Sequence, residues 1–389
     1  MSLPREVPRR ATEPTRSLPP LHFHGVVLGP SGFATEGREW LACLEAAGFF
    51  PSLAGARLGD LDAPLPAADV ERIRRCAGRP RHAASVDFHH MLVPHFAPLP
   101  GATWTVLHTV FETESLPPEF AARAKRADLV LVLTDWNRRT FAAGGVPEEK
   151  LIVVPPPIVP RTTALPSREA DSALRRPFRW LSVFDWTLRK GPDLLLAAFA
   201  RAFRAGEAEL IIKTTPRTGR PVGQLQAVAR AAVAAAATGT PPAVRVLEDV
   251  LDDGGMAELY AASDGFVLAS RGEAWGRPVH EAMLMRLPVV VPAAHACATL
   301  VPSDDVGYPV AARRVRVSAA AADETPQFRG QEWHEVDLDA LSGRMREVVS
   351  DPRQAAARAA RGRSHVLALT DPHAVAARLR RILAQPAPA

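Results

Sequence analysis

Short apolar runs recur along the chain, and most are followed by a stretch with helical spacing. "LHFHGVVLG" (21–29) reads as a buried strand. It leads into a glycine turn and a helix with apolar positions Trp40, Leu41, Leu44 and Ala47. "ATWTVLHTVF" (102–111), "ADLVLVLTD" (127–135) and "KLIVVPP" (150–156) read as further strands. A second cycle opens at "FRWLSVFDW" (178–186), with a helix after it that carries Pro192 in its first turn. "AELIIKTT" (208–215), an Ala-rich helix, "AVRVLED" (243–249), the helix 254–264, "GFVLAS" (265–270) and "PVVVP" (288–292) follow in order. Strand–helix alternation on both sides of a break predicts α/β architecture with two doubly wound parallel sheets.

The break is the stretch rich in Pro, Ser and charge that follows residue 156. The expected organisation is a disordered, basic, Pro-rich tail at 1–20, a first domain at 21–160 and a linker at 161–177. A second domain at 178–370 and a final helix from Asp371, with Pro372 at its first position, complete it. A length of 389 residues fits two domains better than one core. No apolar run reaches the ~18 residues of a membrane span, and no secretory apolar segment stands near the start. Cys43, Cys76 and Cys297 are far apart, which suits a reducing cytoplasm and offers no zinc spacing. The net charge of +5 fits an anionic substrate and decides nothing alone.

"ASRGEAWGRPVHEAMLMRLPVVVP" (269–292) carries the chemistry: Glu273 and Glu281 are separated by seven residues, in a loop between two apolar runs. The loop falls at the carboxyl end of a strand, where ligands of open α/β sheets bind. Pro278 can start a helix, and helix-start N–H groups attract phosphate. Two carboxylates would repel a phosphate but would accept hydrogen bonds from hydroxyls. A ligand with both groups is a nucleotide-sugar. On spacing alone, a capping loop with both acids on a solvated face stays open.

This stretch resembles the E-x7-E signature of retaining glycosyltransferases with the GT-B fold. "VFDWTLRKGPDLLLAAF" resembles that family's Lys-Gly diphosphate loop, and "MAELYAASDGFVLASRGEAWGRPVHEAM" its donor-site core. "TVFETESLPPEF", "ADLVLVLTDWNRRTFAAGGVPEEKLIVVP" and "QEWHEVDLDALSGRMREVVSDP" resemble a subgroup, so the likeness spans about 21–385. The resemblance implies two Rossmann-like domains facing across a cleft, with the last helix returning to the first. It implies that Glu273 binds donor-sugar hydroxyls, Glu281 the ribose, and Lys190, with Arg189, the diphosphate. Gly276, Arg277 and Val279 would face the diphosphate, and Leu247 would lie beside the base. His108 matches the family's histidine near the reacting sugar, and Gly29 and Gly32 belong to a loop near the donor phosphates. His89, His90, Glu112 and Glu114 are weaker acceptor-side candidates. An adjacent His–His pair on a strand is poor chelate geometry, since the side chains point to opposite faces. Asp252 and Asp253 are read as structural, and no metal site is expected. The sequence departs from the family at "PAAHACATLVP" (292–302), at "PPPIVP" (155–160) and at Ala274, where relatives have glycine.

The expected function is retaining, metal-independent transfer of a sugar from a nucleotide-diphosphate sugar to an acceptor hydroxyl, in bacterial glycan or natural-product synthesis. The donor is a substrate, and no cofactor is required. The acceptor is a glycan, a lipid-linked molecule or a small molecule. No nucleic-acid partner is implied. The expected location is the cytoplasm. The basic segment 71–82 raises peripheral membrane contact beside the plainer reading of a solvated helix face. Two rivals stay open: an inactive homologue acting as a partner subunit, and another GT-B enzyme such as a sugar-nucleotide epimerase or phosphorylase. Lys190→Ala is expected to lose turnover without any change in melting temperature.

Overall fold

A computed structural model describes residues 18–57, 64–158, 177–215, 221 and 223–385. The expected tail (1–20) and linker (161–177) lie almost wholly outside the described residues.

The first sheet holds β1 (Leu21–Leu28), β2 (Ser52–Arg57), β3 (Val86–His90), β4 (Trp104–His108), β5 (Leu129–Val132) and β6 (Leu151–Val153). Their order is β2-β1-β3-β4-β5-β6, and all pairs are parallel. The second sheet holds β7 (Phe178–Val183), β8 (Ala208–Lys213), β9 (Ala243–Leu247), β10 (Gly265–Val267), β11 (Val289–Pro292) and β12 (Tyr308–Val310). Its order is β12-β11-β10-β7-β8-β9, again parallel throughout. Strands such as β5, "LVLV", are buried at every residue, as expected of a sheet covered by helices on both faces. Two Rossmann-like domains thus stand as expected, and the fold is GT-B.

Each sheet reverses its strand order once, between β1 and β3 in the first and between β7 and β10 in the second. A crevice opens outside the carboxyl ends of the strands at such a point. Most strands stop short of the apolar run that predicted them. Phe184 and Leu268 make the last bonds to the neighbouring strands, and residues 185–187 and 269–270 form the loops at the crevice.

A hairpin of β13 (Ala312–Arg316) and β14 (Glu332–Val336) was not anticipated. It reaches across to the first domain: Glu114 N–H donates to Glu332 O at 2.9 Å, and Ser115 Oγ donates to Gln331 Oε1 at 2.8 Å. Phe328 and Trp333 share a core with Phe111 and Leu107. The last helix, Pro372–Leu383, also returns to the first domain. Pro372 takes the helix start, where its missing N–H costs nothing, and Asp371 caps it through His373 N–H. Arg380 Nη1 donates to Ala47 O at 2.8 Å, and Val375, Leu379 and Leu383 are buried.

Candidate active site

Both loops of the second domain's switch point carry charge. After β7, a short turn over Leu188–Lys190 ends at Gly191, whose φ of +66° favours glycine. A Cβ there would stand 2.2 Å from Ala269 O, so the turn lies against the end of β10. This packing projects Lys190 towards the loop after β10, where its Nζ meets Glu273 Oε1 at 2.6 Å. Arg189 Nη1 donates to Gly272 O at 2.6 Å, and its Nη2 lies 3.5 Å from Glu112 Oε1 of the first domain. Burial alone would raise the Glu273 carboxyl. Lys190, Arg189 and the hydrogen bonds from Lys190 and Ser270 outweigh it and hold the group below its ordinary value. Glu273 is therefore a buried carboxylate.

The helix Arg277–Leu284 begins at Gly276, with φ +85°. The N–H of Val279 donates to Gly276 O at 2.9 Å, so that candidate phosphate donor is engaged within the first turn. Glu281 accepts from Tyr260 OH at 3.0 Å and from Arg277 Nε at 3.1 Å. Arg277 also forks onto Glu39 of the first domain, with two contacts of 2.7 Å. Its side chain thus joins Glu281 to the opposite wall. Leu247 ends β9, where Thr214 N–H donates to its carbonyl at 2.9 Å. Asp252 caps the helix Asp253–Ala261 by accepting from Gly255 N–H at 2.8 Å.

On the first domain, Gly29 turns with φ +96°, and Gly32 opens the helix Gly32–Ala46, capped by Ser31. A Cβ on Gly32 would lie 3.6 Å from Arg277 Cδ, so this loop faces the second domain. His90 and His108 end neighbouring strands side by side, with their Nδ1 atoms 2.9 Å apart. His90 Nε2 lies 2.9 Å from Phe33 O, and His108 Nε2 lies 3.3 Å from Glu36 Oε1. Both rings are fully buried, and His108 Nε2 is left without a hydrogen-bond partner. Burial pushes His90 down to about 4 and His108 well below its ordinary value. His89 points to the other face beside His24, with ring centroids 5.3 Å apart. Glu114 meets Trp136 Nε1 at 3.0 Å and Arg314 Nη2 at 2.6 Å; like Glu112, it is held by the domain interface.

Several residues escaped the sequence reading. Arg271 holds the lysine turn by donating to Leu188 O at 2.6 Å and forking onto Asp193 at 2.9 and 2.7 Å. His295, in the departing stretch 292–302, has φ +42° and donates from Nε2 to Ser270 O at 3.1 Å. Glu36 and Glu39 lie on one helix without any motif to mark them. Among the described residues, Glu36, His90 and His108 are the one group of three or more His, Cys, Asp or Glu with ligand-type atoms within 4.8 Å of one another.

Residues 179–325 match the family described as Glycosyl transferases group 1. No curated protein sequence matches the chain. Solved structures are similar over nearly the whole length. HepE of Anabaena, in complex with UDP and glucose, is 15% identical, covering 94% of this chain and 99% of that one, with a TM-score of 0.64. A sucrose-phosphate synthase of Thermosynechococcus elongatus is 18% identical, covering 94% and 98%, with a TM-score of 0.63. WaaG, a glycosyltransferase of lipopolysaccharide biosynthesis, is 16% identical, covering 93% and 99%, with a TM-score of 0.60. The matched segment lies within the second domain, and the architecture shared with these structures is the GT-B fold. No helix among the described residues is long and apolar enough to cross a membrane.

Proposed function

We propose that the protein is a retaining glycosyltransferase that moves a sugar from a nucleotide-diphosphate donor to an acceptor hydroxyl without a metal ion. One observation carries the reading: Lys190 and the buried, ionised Glu273 meet at the switch point of the second sheet, on the loops after β7 and β10. Glu273 accepts from donor-sugar hydroxyls, and Glu281 accepts from the ribose. Lys190 and Arg189 stabilise charge on the departing diphosphate. That interaction strengthens as the sugar leaves, so it acts on rate. The incoming hydroxyl attacks from the face the diphosphate leaves, and a phosphate oxygen takes its proton. Glu273 and Lys190 are each other's partner before the donor arrives, so donor binding must part or share this pair.

A bacterial glycan or natural-product pathway, a cytoplasmic location and an acceptor held on the first domain belong to the same proposal. So does contact of the segment 71–82 with a membrane surface. The UDP and glucose complex of HepE supports UDP-glucose as the first donor to test.

The experiment is a thermal-shift screen against UDP-, GDP-, ADP- and dTDP-sugars, then product analysis by NMR. The true donor raises the melting temperature by mass action, and the product keeps the donor's anomeric configuration. Inversion would reject the retaining mechanism. Turnover lost in EDTA and restored by magnesium or manganese would reject metal independence.

A further inference from the structure

We propose that Glu36 is a neutral carboxylic acid that donates its proton to His108 Nε2 and so fixes His108 as the Nδ1–H tautomer. Glu36 is then a positioning residue for that histidine. Its bearing on transfer rests on the function proposed above, but the proton assignment does not.

The assignment follows from counting protons along one chain of contacts. Phe33 O can only accept, so His90 carries its proton on Nε2. If His90 is neutral, its Nδ1 is a bare acceptor, and the contact of 2.9 Å requires the proton on His108 Nδ1. If His108 is neutral too, its Nε2 is a buried acceptor without a donor, 3.3 Å from Glu36 Oε1. A lone pair that close to a carboxylate oxygen in a buried site is repulsive. Two neutral rings and an ionised Glu36 are thus one proton short. Placing that proton on Glu36 supplies the donor that His108 Nε2 lacks, because a hydroxyl oxygen can donate to His108 and still accept from Trp40 Nε1 at 3.1 Å.

The surrounding charge favours the same distribution. The groups facing Glu36 are Trp40 and Glu39 of its own helix, His90, His108, and Arg277 of the second domain. Arg277 is the one cation among them, and it is already forked onto Glu39 and bonded to Glu281. Ionised Glu36 would set a third carboxylate around a single guanidinium. Burial also raises the Glu36 carboxyl to about 7, against the Trp40 hydrogen bond and Arg277, while the His108 ring is pushed down. Both directions favour the neutral pair over a carboxylate–imidazolium pair.

The test uses the full chain with 15N-labelled histidine at about pH 6, below the raised Glu36 value. The His108 signals, assigned by their loss in His108→Asn, should show a protonated Nδ1 and a bare Nε2. Infrared difference spectra between wild type and Glu36→Gln should show a carboxylic C=O band in wild type that the variant lacks. Glu36→Gln should keep the tautomer, since its amide N–H can donate to Nε2, and lose the Trp40 hydrogen bond, since that nitrogen cannot accept, whereas Glu36→Ala should lose the tautomer. An imidazolium His108, an Nε2–H tautomer, or no carboxylic band would overturn the proposal. So would stoichiometric zinc or manganese in the purified wild type that is absent from Glu36→Gln, because a metal would then hold the place given to the proton. The wild-type spectra decide the matter even if a variant fails to fold, and none of the measurements needs a donor.

Discussion

On the second-domain wall of the cleft, the carboxyl of Glu273 is buried 2.6 Å from a lysine ammonium and near a guanidinium. On the first-domain wall, the carboxyl of Glu36 is equally buried, but it faces an indole N–H and a histidine ring at 3.1 and 3.3 Å. Burial opposes ionisation in both places. Adjacent cations overcome it at Glu273 and not at Glu36, so one site holds fixed charge and the other holds protons. The charged wall is suited to a diphosphate whose charge grows during reaction. The neutral cluster around Glu36 is suited to keeping two histidines in one tautomer beside the charged Glu39–Arg277 pair. Arg277 is the joint between them, with one carboxylate on each side.

The sharpest way to break this contrast is to remove the joint. Arg277→Ala takes the cation from buried Glu281 and half-buried Glu39, which should cost about 3–5 kcal/mol of stability in denaturant unfolding. The double variant with Glu39→Gln should recover part of it. A loss below about 1 kcal/mol would show that the pair behaves like a solvated one.

Lys190→Ala should lower kcat on the order of 10²–10³-fold with the identified donor. The structure revises the sequence-based expectation that its melting temperature stays unchanged. Removing Lys190 strips Glu273 of its nearest cation, so the melt should fall. Adding Glu273→Gln should restore the melt but not turnover. An unchanged melt in Lys190→Ala would mean that Arg189 alone holds Glu273 ionised.

The two acids should then separate kinetically. Glu273→Gln should act mainly on kcat, since its partner is the sugar that becomes cationic, and Glu281→Ala mainly on donor KM. Tyr260→Phe should follow Glu281→Ala in kind but more weakly, at about 1 kcal/mol, because it removes one hydrogen bond to that carboxylate. Equal, purely KM effects from Glu273→Gln and Glu281→Ala would reject the split.

The smallest effect is in pH. Glu36 has its folded value raised from 4.5 to about 7. Its stabilising contribution is therefore full below the unfolded value and is lost as pH rises through about 7. His90 and His108 run the other way: their folded values are depressed, so protonation of the unfolded chain erodes stability as pH falls below 6.5. The melting temperature of Glu36→Gln relative to wild type should accordingly rise between about pH 5 and about pH 8. A constant difference would mean that Glu36 does not change protonation there.

The sequence made the architecture legible because its signals are local. Apolar runs marked the strands, and Pro192, Pro278 and Pro372 marked helix starts. The loop around Glu273 could be placed at a strand end for the same reason. What stayed hidden depends on distance in the chain. Glu36 and Glu39 are ordinary helix acids until the fold sets His108 and Arg277 beside them, 72 and 238 residues away. Glu112 and Glu114 looked like cleft residues because nothing in their own segment announces Arg189 or the hairpin β13–β14. Strand ends fall short of the apolar runs because apolar character continues past the last ladder bond, as in "GFVLAS", where Leu268 makes that bond and Ala269, still buried, belongs to the loop.

The returning helix has a consequence for how the protein is made. The carbonyl of Ala47 and the guanidinium of Arg380 are 333 residues apart in the chain. At about 5–20 residues per second, roughly 17–67 seconds of translation separate the two. Throughout that time the side of the helix Gly32–Ala46 around Cys43, which Pro372 later covers, has no lid. The first domain leaves the ribosome first and is finished last.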